Sequence, residues 1–174
     1  MMTMDKCTYK IVGFHGTTKG SAKSILQFKK FIISKDDEEW LGPGVYFFED
    51  DIKQAYYYCV RAKKINDWSI LKSDIYAEVV IDLVDTETRE YFERILNKIK
   101  HRYLKRADGR PRKLMNSVTL NIMYEANPYD VVRGIFQVPS TGYLSRTNLM
   151  CLQKQICVRN LDCIKTITEV EYNG

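Results

Sequence analysis

Residues 41–59 read LGPGVYFFEDDIKQAYYYC, and this stretch decides the fold. Gly42, Pro43 and Gly44 form a turn cluster, because glycine frees the backbone and proline fixes one dihedral. Val45, Tyr46, Phe47 and Phe48 are β-branched and aromatic, the composition of a short strand. Glu49, Asp50 and Asp51 then set negative charge where a helix presents its positive dipole end. The spacing predicts a helix over 51–64 that carries Tyr56, Tyr57 and Tyr58 in a row. Three consecutive tyrosines cannot all face one core, so at least one lies edge-on or exposed. Beside a glycine-rich turn such a ring can be a stacking platform for a planar ligand, or it can be the amphipathic side of an ordinary helix.

Outward from this centre the chain alternates less regularly. Residues 9–15 (YKIVGFH) read as a first strand that ends in Gly16, Thr17 and Thr18. Residues 21–28 have helical spacing, with Ala22, Ile25, Leu26 and Phe28 on an apolar side. Residues 75–84 (IYAEVVIDLV) read as a strand. The longest helical signal covers 86 to about 105, where Tyr91, Ile95, Ile99 and Tyr103 recur at four-residue steps. Asp108-Gly109-Arg110-Pro111 breaks it, and 117–126 reads as a further helix. Three strand-like runs follow, 131–138, 150–158 and 164–170. Strands dominate both ends and helices lie mainly between them, which predicts an α+β fold rather than a doubly wound parallel sheet. No linker rich in Pro, Gly or Ser divides the 174 residues, so a single domain over 1–174 is expected.

Composition excludes several classes. Hydrophobic residues make up 45% and charged residues 28%, as in ordinary globular proteins. No apolar run approaches the roughly 20 residues of a membrane span. The first nine residues lack the apolar core of a signal peptide, so a cytoplasmic location is expected. Cys7, Cys59, Cys151, Cys157 and Cys163 are odd in number and include no CxxC pair. That argues against a disulfide framework and a zinc site, and for small buried side chains. The net charge of +5 is mild, yet residues 98–113 (KIKHRYLKRADGRPRK) hold eight Lys or Arg and one Asp. Such a run can neutralise phosphates, or it can be the solvated end of a helix.

Two further clusters could carry chemistry. His15 closes an apolar strand before a glycine, and Gly16 permits close backbone approach to a ligand. It can equally be a polar strand end. Gln153 and Gln155 lie two apart and share one strand face. They could read a polar ligand or simply face solvent. GxGxxG, Walker A, HExxH and GxSxG motifs are all absent, and so is metal-ligand spacing.

Taken together, the three clusters resemble the ADP-ribosyltransferase superfamily, in its diphtheria-toxin and poly(ADP-ribose) polymerase branch with a His-Tyr-Glu triad. Phe14-His15-Gly16-Thr17 resembles the first element, and Gly44-Val45-Tyr46-Phe47 matches the second. Ala55 and Tyr57 stand at the family's spacings after Tyr46, and 75–84 resembles the strand that follows. Gln155-Ile156-Cys157-Val158 occupies the place of the third element. The stretch 85–148 is unmatched and reads as a family-specific helical and basic insertion.

The resemblance implies split antiparallel sheets with flanking helices around an NAD cleft. It implies that His15 bonds a ribose hydroxyl of NAD, that the Gly16 backbone pairs with the nicotinamide amide, and that Thr17 and Gln54 assist. Gln54 departs from the hydroxyl residue frequent there. Tyr46 and Tyr57 would sandwich the nicotinamide. The reaction displaces nicotinamide from the ribose through an oxocarbenium-like transition state, which a carboxylate stabilises.

Gln155 is the departure that matters, because it keeps the shape of glutamate without its charge. A deliberate isosteric inactivation, a natural variant with altered activity and a pseudo-enzyme that only binds NAD or ADP-ribose all fit. The small size resembles bacterial or phage-defence toxins of the superfamily, which implies mono-ADP-ribosylation and an antitoxin partner. The expected acceptor is RNA or DNA ahead of protein, with phosphates on Arg102, Lys105, Arg106, Arg110 and Arg112 and with Gln153 near the acceptor. No metal is implied. An NAD glycohydrolase remains an alternative. An RNA 2′-phosphotransferase shares the fold, but the further His and Arg motif residues of that family are absent.

Overall fold

A computed structural model describes residues 8–34, 39–105, 109, 115–137 and 152–173. Strand β1 (Tyr9–Thr18) leads directly into helix α1 (Lys19–Phe28), which Thr18 caps by accepting the Ser21 N–H at 3.1 Å. Strand β2 (Val45–Glu49) precedes helix α2 (Ile52–Tyr57). Asp51 caps α2 through the Gln54 N–H, which is where the acidic run acts. A wider π turn (Tyr58–Ala62) continues that helix. Then come β3 (Trp68–Ala77), β4 (Val80–Asp82), α3 (Thr86–Tyr103) and α4 (Asn116–Ala126). Strands β5 (Val131–Gln137) and β6 (Leu152–Val158), a 3₁₀ turn (Leu161–Cys163) and β7 (Thr168–Val170) complete the described elements.

The fold is α+β. Its described strands form one seven-stranded sheet in the order β4-β5-β6-β2-β1-β3-β7. The expectation of separate sheets is thereby corrected, although the sheet has an evident seam. β1 pairs with β3 over ten residues, Tyr9↔Ala77 to Thr18↔Trp68, and with β2 only at Gly13↔Glu49 and Phe14↔Phe48. All pairings are antiparallel except β4 with β5.

Alternation along the strands builds a core on each face of the sheet. Val131 and Ile156 join Phe47, Leu71 and Ile75 on the α1 side, while Val132 and Cys157 join Leu41, Phe92, Leu120 and Met123 under α3 and α4. The interleaving fixes strand register, since a one-residue slip would exchange the two cores.

Three expected elements are redrawn. The strand expected over 75–84 is two strands. Asp130 accepts the Glu78 and Val79 N–H groups at 2.9 and 3.0 Å and breaks the run between them. The strand that follows the α2 region is therefore the earlier Trp68–Ala77. The helix expected over 51–64 turns into the π turn after Tyr57. The final run, expected over 164–170, follows the 3₁₀ turn with a single bridge, Ile75↔Ile164, and only Thr168–Val170 pairs as a strand. Cys59, Cys157 and Cys163 are buried and unpaired, whereas Cys7 and Cys151 lie outside the described residues.

Candidate functional site

The site begins where β1 and β2 part. If their register continued, Gly16 would lie opposite Tyr46. Instead β1 stays on β3, and His15 Nδ1 bonds the Tyr46 carbonyl at 2.8 Å. A carbonyl only accepts, so Nδ1 carries the hydrogen and Nε2 keeps its lone pair. The ring stands against Phe31 and Phe47, at centroid distances of 5.3 and 5.7 Å. Burial holds the His15 pKa below its ordinary value, against a smaller opposing effect of the Tyr46 carbonyl. His15 is thus a neutral imidazole offering one acceptor.

Tyr46 latches the glycine-rich turn. Its hydroxyl donates to the Gly42 carbonyl at 2.6 Å and accepts the Leu41 N–H at 2.9 Å. Gly42 has φ +80°, a backbone region that glycine adopts without strain. Burial pushes the Tyr46 phenol well above its usual range, with the Cys157 thiol and the Glu39 carboxylate adding to the effect. The phenol stays neutral and the turn stays closed.

The tyrosine row divides between two environments. Tyr56 packs on Trp68 and Tyr172, each with centroids 5.1 Å apart. Tyr57 and Tyr58 line the cleft, and the Arg61 guanidinium lies 3.8 Å from the Tyr57 ring centroid. In the cleft three amides form a chain. Gln155 Nε2 donates to Gln153 Oε1, and Gln153 Nε2 donates to Gln54 Oε1 at 2.9 Å. The chain is neutral and spans from β6 to α2.

These groups surround one cleft of about 920 Å³, near the upper end of the roughly 300–1,000 Å³ usual for small-molecule sites. One wall, from the segment before β2 and from β2 itself, contributes Ile32, Ser34, Glu39, Trp40 and Tyr46. The helix wall contributes Gln54, Tyr57, Arg61 and Lys63, and His15, Gln153 and Gln155 complete the cleft.

Six expected residues therefore meet in one cleft, namely His15, Tyr46, Gln54, Tyr57, Gln153 and Gln155. Gly16 and Thr17 are not among its lining residues. A Cβ at Gly16 would sit 2.6 Å from the Ala55 carbonyl oxygen and 2.6 Å from Cys59 Sγ, so this glycine lets the α2 region pack on β1. The Thr17 carbonyl faces the Cys59 thiol at 4.0 Å, and its backbone pairs with Ser69. Arg102 and Lys105 are exposed at and beyond the last turn of α3 and do not line the cleft. Arg106, Arg110 and Arg112 lie outside the described residues.

Sequence reasoning missed Glu39, Trp40, Arg61 and Lys63. Arg61 had a usable signal, since it stands four residues after Tyr57 and so shares its helix face. Among the described residues no group of three or more His, Cys, Asp or Glu could hold a metal. No helix there is long and apolar enough to cross a membrane.

Comparison with known proteins finds similarity to the uncharacterized protein MJ0359 of Methanocaldococcus jannaschii. The two are 25% identical over 180 aligned positions, covering 88% of this chain and 84% of the relative. No protein-family model matches the chain, and no solved structure does.

Proposed function

We propose that the cleft binds NAD and that the protein is a mono-ADP-ribosyltransferase acting on a macromolecule, RNA or DNA in preference to protein. The supporting observation is the meeting of His15, Tyr46, Tyr57 and Gln155, carried by β1, β2, α2 and β6, around one cleft. The donor set fits the ligand. His15 Nε2 is an acceptor for a ribose hydroxyl. The Tyr46 ring offers an apolar face for a nicotinamide ring, and the Tyr57 ring lies in the same cleft with the Arg61 guanidinium over one face. Arg61 and Lys63 place positive charge on the helix wall, where a diphosphate would be held.

NAD supplies a glycosidic C1′–N bond whose cleavage leaves positive charge on the ribose. On this reading Gln155 takes the position of the carboxylate that would oppose that charge, and as a neutral amide it does so weakly. The amide chain is compatible with a glutamate at that position. Gln153 would turn its Nε2 towards the carboxylate, and Gln54 would turn its own towards Gln153 Oε1. The exposed Arg102 and Lys105 and the basic run around them favour a polyanionic acceptor. A toxin or defence effector held by an antitoxin is the biological role this chemistry fits best.

The test compares this chain with Gln155→Glu, using labelled NAD and separate pools of RNA, DNA and protein. Gln155→Glu is expected to label a nucleic-acid pool roughly 10² to 10³ times faster than the chain as it stands. Nicotinamide release without any labelled pool would identify an NAD glycohydrolase instead. NAD binding without turnover in either form would leave only a binding module.

A further inference from the structure

Among the described residues that line the cleft, one is a carboxylate, Glu39. It shares the cleft with Arg61 and Lys63, so a ligand ring with positive charge meets attraction from Glu39 and repulsion from those two cations. Glu39 is firmly placed. Its Oε1 accepts the Ser34 hydroxyl at 2.6 Å, and its carbonyl accepts the Gly42 N–H at 3.4 Å. Ser34 is in turn clamped to the turn before β2, through Ser34 N–H to Gly44 O at 3.0 Å and Gly44 N–H to Ser34 O at 3.2 Å. The second carboxylate oxygen takes no hydrogen bond among the described residues. Glu39 and Tyr46 both line the cleft and both hold Gly42, Glu39 through its carbonyl and Tyr46 through its hydroxyl, and the Glu39 charge adds to the upward push on the Tyr46 phenol.

Resting on the function proposed above, we infer that Glu39 is the residue by which the cleft recognises positive charge, and that it supplies the anion that Gln155 is not. A nicotinamide ring joined to ribose is a planar cation, and it becomes neutral when it leaves with the electron pair of the broken C1′–N bond. The positive charge then resides on the ribose until an acceptor bonds C1′ and releases its proton. A fixed carboxylate in the same cleft favours binding of the charged ring, opposes the charge that follows it onto the sugar, and can take the acceptor's proton. The amides of Gln54, Gln153 and Gln155 supply none of this.

A calorimetric titration with two probes tests the assignment without requiring turnover. 1-Methylnicotinamide is a planar cation, and nicotinamide is its neutral counterpart of similar shape. Wild type is expected to bind the cation about tenfold more tightly, a difference within what a part-screened ion pair supplies. Glu39→Gln is expected to remove that preference and Glu39→Asp to keep part of it, with thermal melts showing that both variants fold. An equal preference in wild type and Glu39→Gln, or no preference in wild type, overturns the role of Glu39. NAD itself, titrated in parallel, separates the two levels. If NAD binds while the charge preference is absent, the inference fails and the proposed cofactor stands. If neither NAD nor either probe binds, both fall.

Discussion

Along one edge β1 runs beside β3 for ten consecutive pairs, while along the other it meets β2 at two. The first edge is closed by backbone bonds and holds only structure. At the second, the work of a ladder passes to side chains. His15 takes the Tyr46 carbonyl, and the α2 region packs on Gly16. The cleft lies at that edge, and His15 and Tyr46, whose side chain and carbonyl bond across it, both line the cleft. The contrast teaches that the proposed site lies where a strong local pattern stops, not where it is most regular.

The sharpest way to break the comparison is to wedge the seam. Gly16→Ala sets a methyl within 2.6 Å of the Ala55 carbonyl and Cys59 Sγ. Since backbone cannot yield as a flexible side chain does, a loss of about 3 kcal/mol is expected, read as a lower denaturant midpoint. Alanine accepted there without cost would mean that the helix does not support β1 as described.

A smaller loss is expected from Arg133→Ala. Arg133 on β5 bonds Glu49, the β2 residue paired with Gly13 of β1, at 2.6 Å and Asp82 on β4 at 3.0 Å. Removing this part-buried brace should cost about 2 kcal/mol, the range for hydrogen bonds to charged groups. Double-mutant cycles with Glu49→Gln and Asp82→Asn would divide that cost between the two arms.

The smallest effect is a slope with pH. His15 is held below its ordinary pKa of 6.5 when folded, so the unfolded chain takes up its proton first as pH falls. Stability is therefore full above about 6.5 and declines below it until the folded ring protonates, by at most roughly 1.4 kcal/mol per pH unit. Urea midpoints at pH 7.5 and 5.5 should differ less for His15→Asn than for wild type. An unchanged slope would place the titration elsewhere.

Much of this was legible in the sequence, and the gaps have physical causes. The turn, β2 and the cap at Asp51 follow from residues 41–51, where each local signal agrees with the next. β3 was hidden because Ser69 and Ser73 are buried polar residues, which blur the alternation of WSILKSDIYA. Its end was hidden because the break at Glu78 and Val79 is made by Asp130, 52 and 51 residues away. Neither the seam nor the amide chain could be seen locally, since both depend on which strands become neighbours. Glu39 ends the charged run KDDEE (35–39), a pattern that reads as solvated surface.

One feature of the sheet edge bears on where the chain can tolerate a change in length. β4 and β5 lie side by side in parallel, Val80↔Val131 to Asp82↔Arg133, and α3 and α4 leave from one and return to the other. The excursion therefore starts and finishes at adjacent points, pinned by a ladder and by the Arg133–Asp82 ion pair. Loop-closure cost grows only slowly with length, at about 0.6 kcal/mol per doubling. The link between the two helices could therefore change length at little closure cost, whereas α4 itself is tied to the cleft, since Leu120 packs with Leu41 and Asn116 donates to the Trp40 carbonyl at 3.1 Å, so variation is expected to collect in the tether and not in the helix.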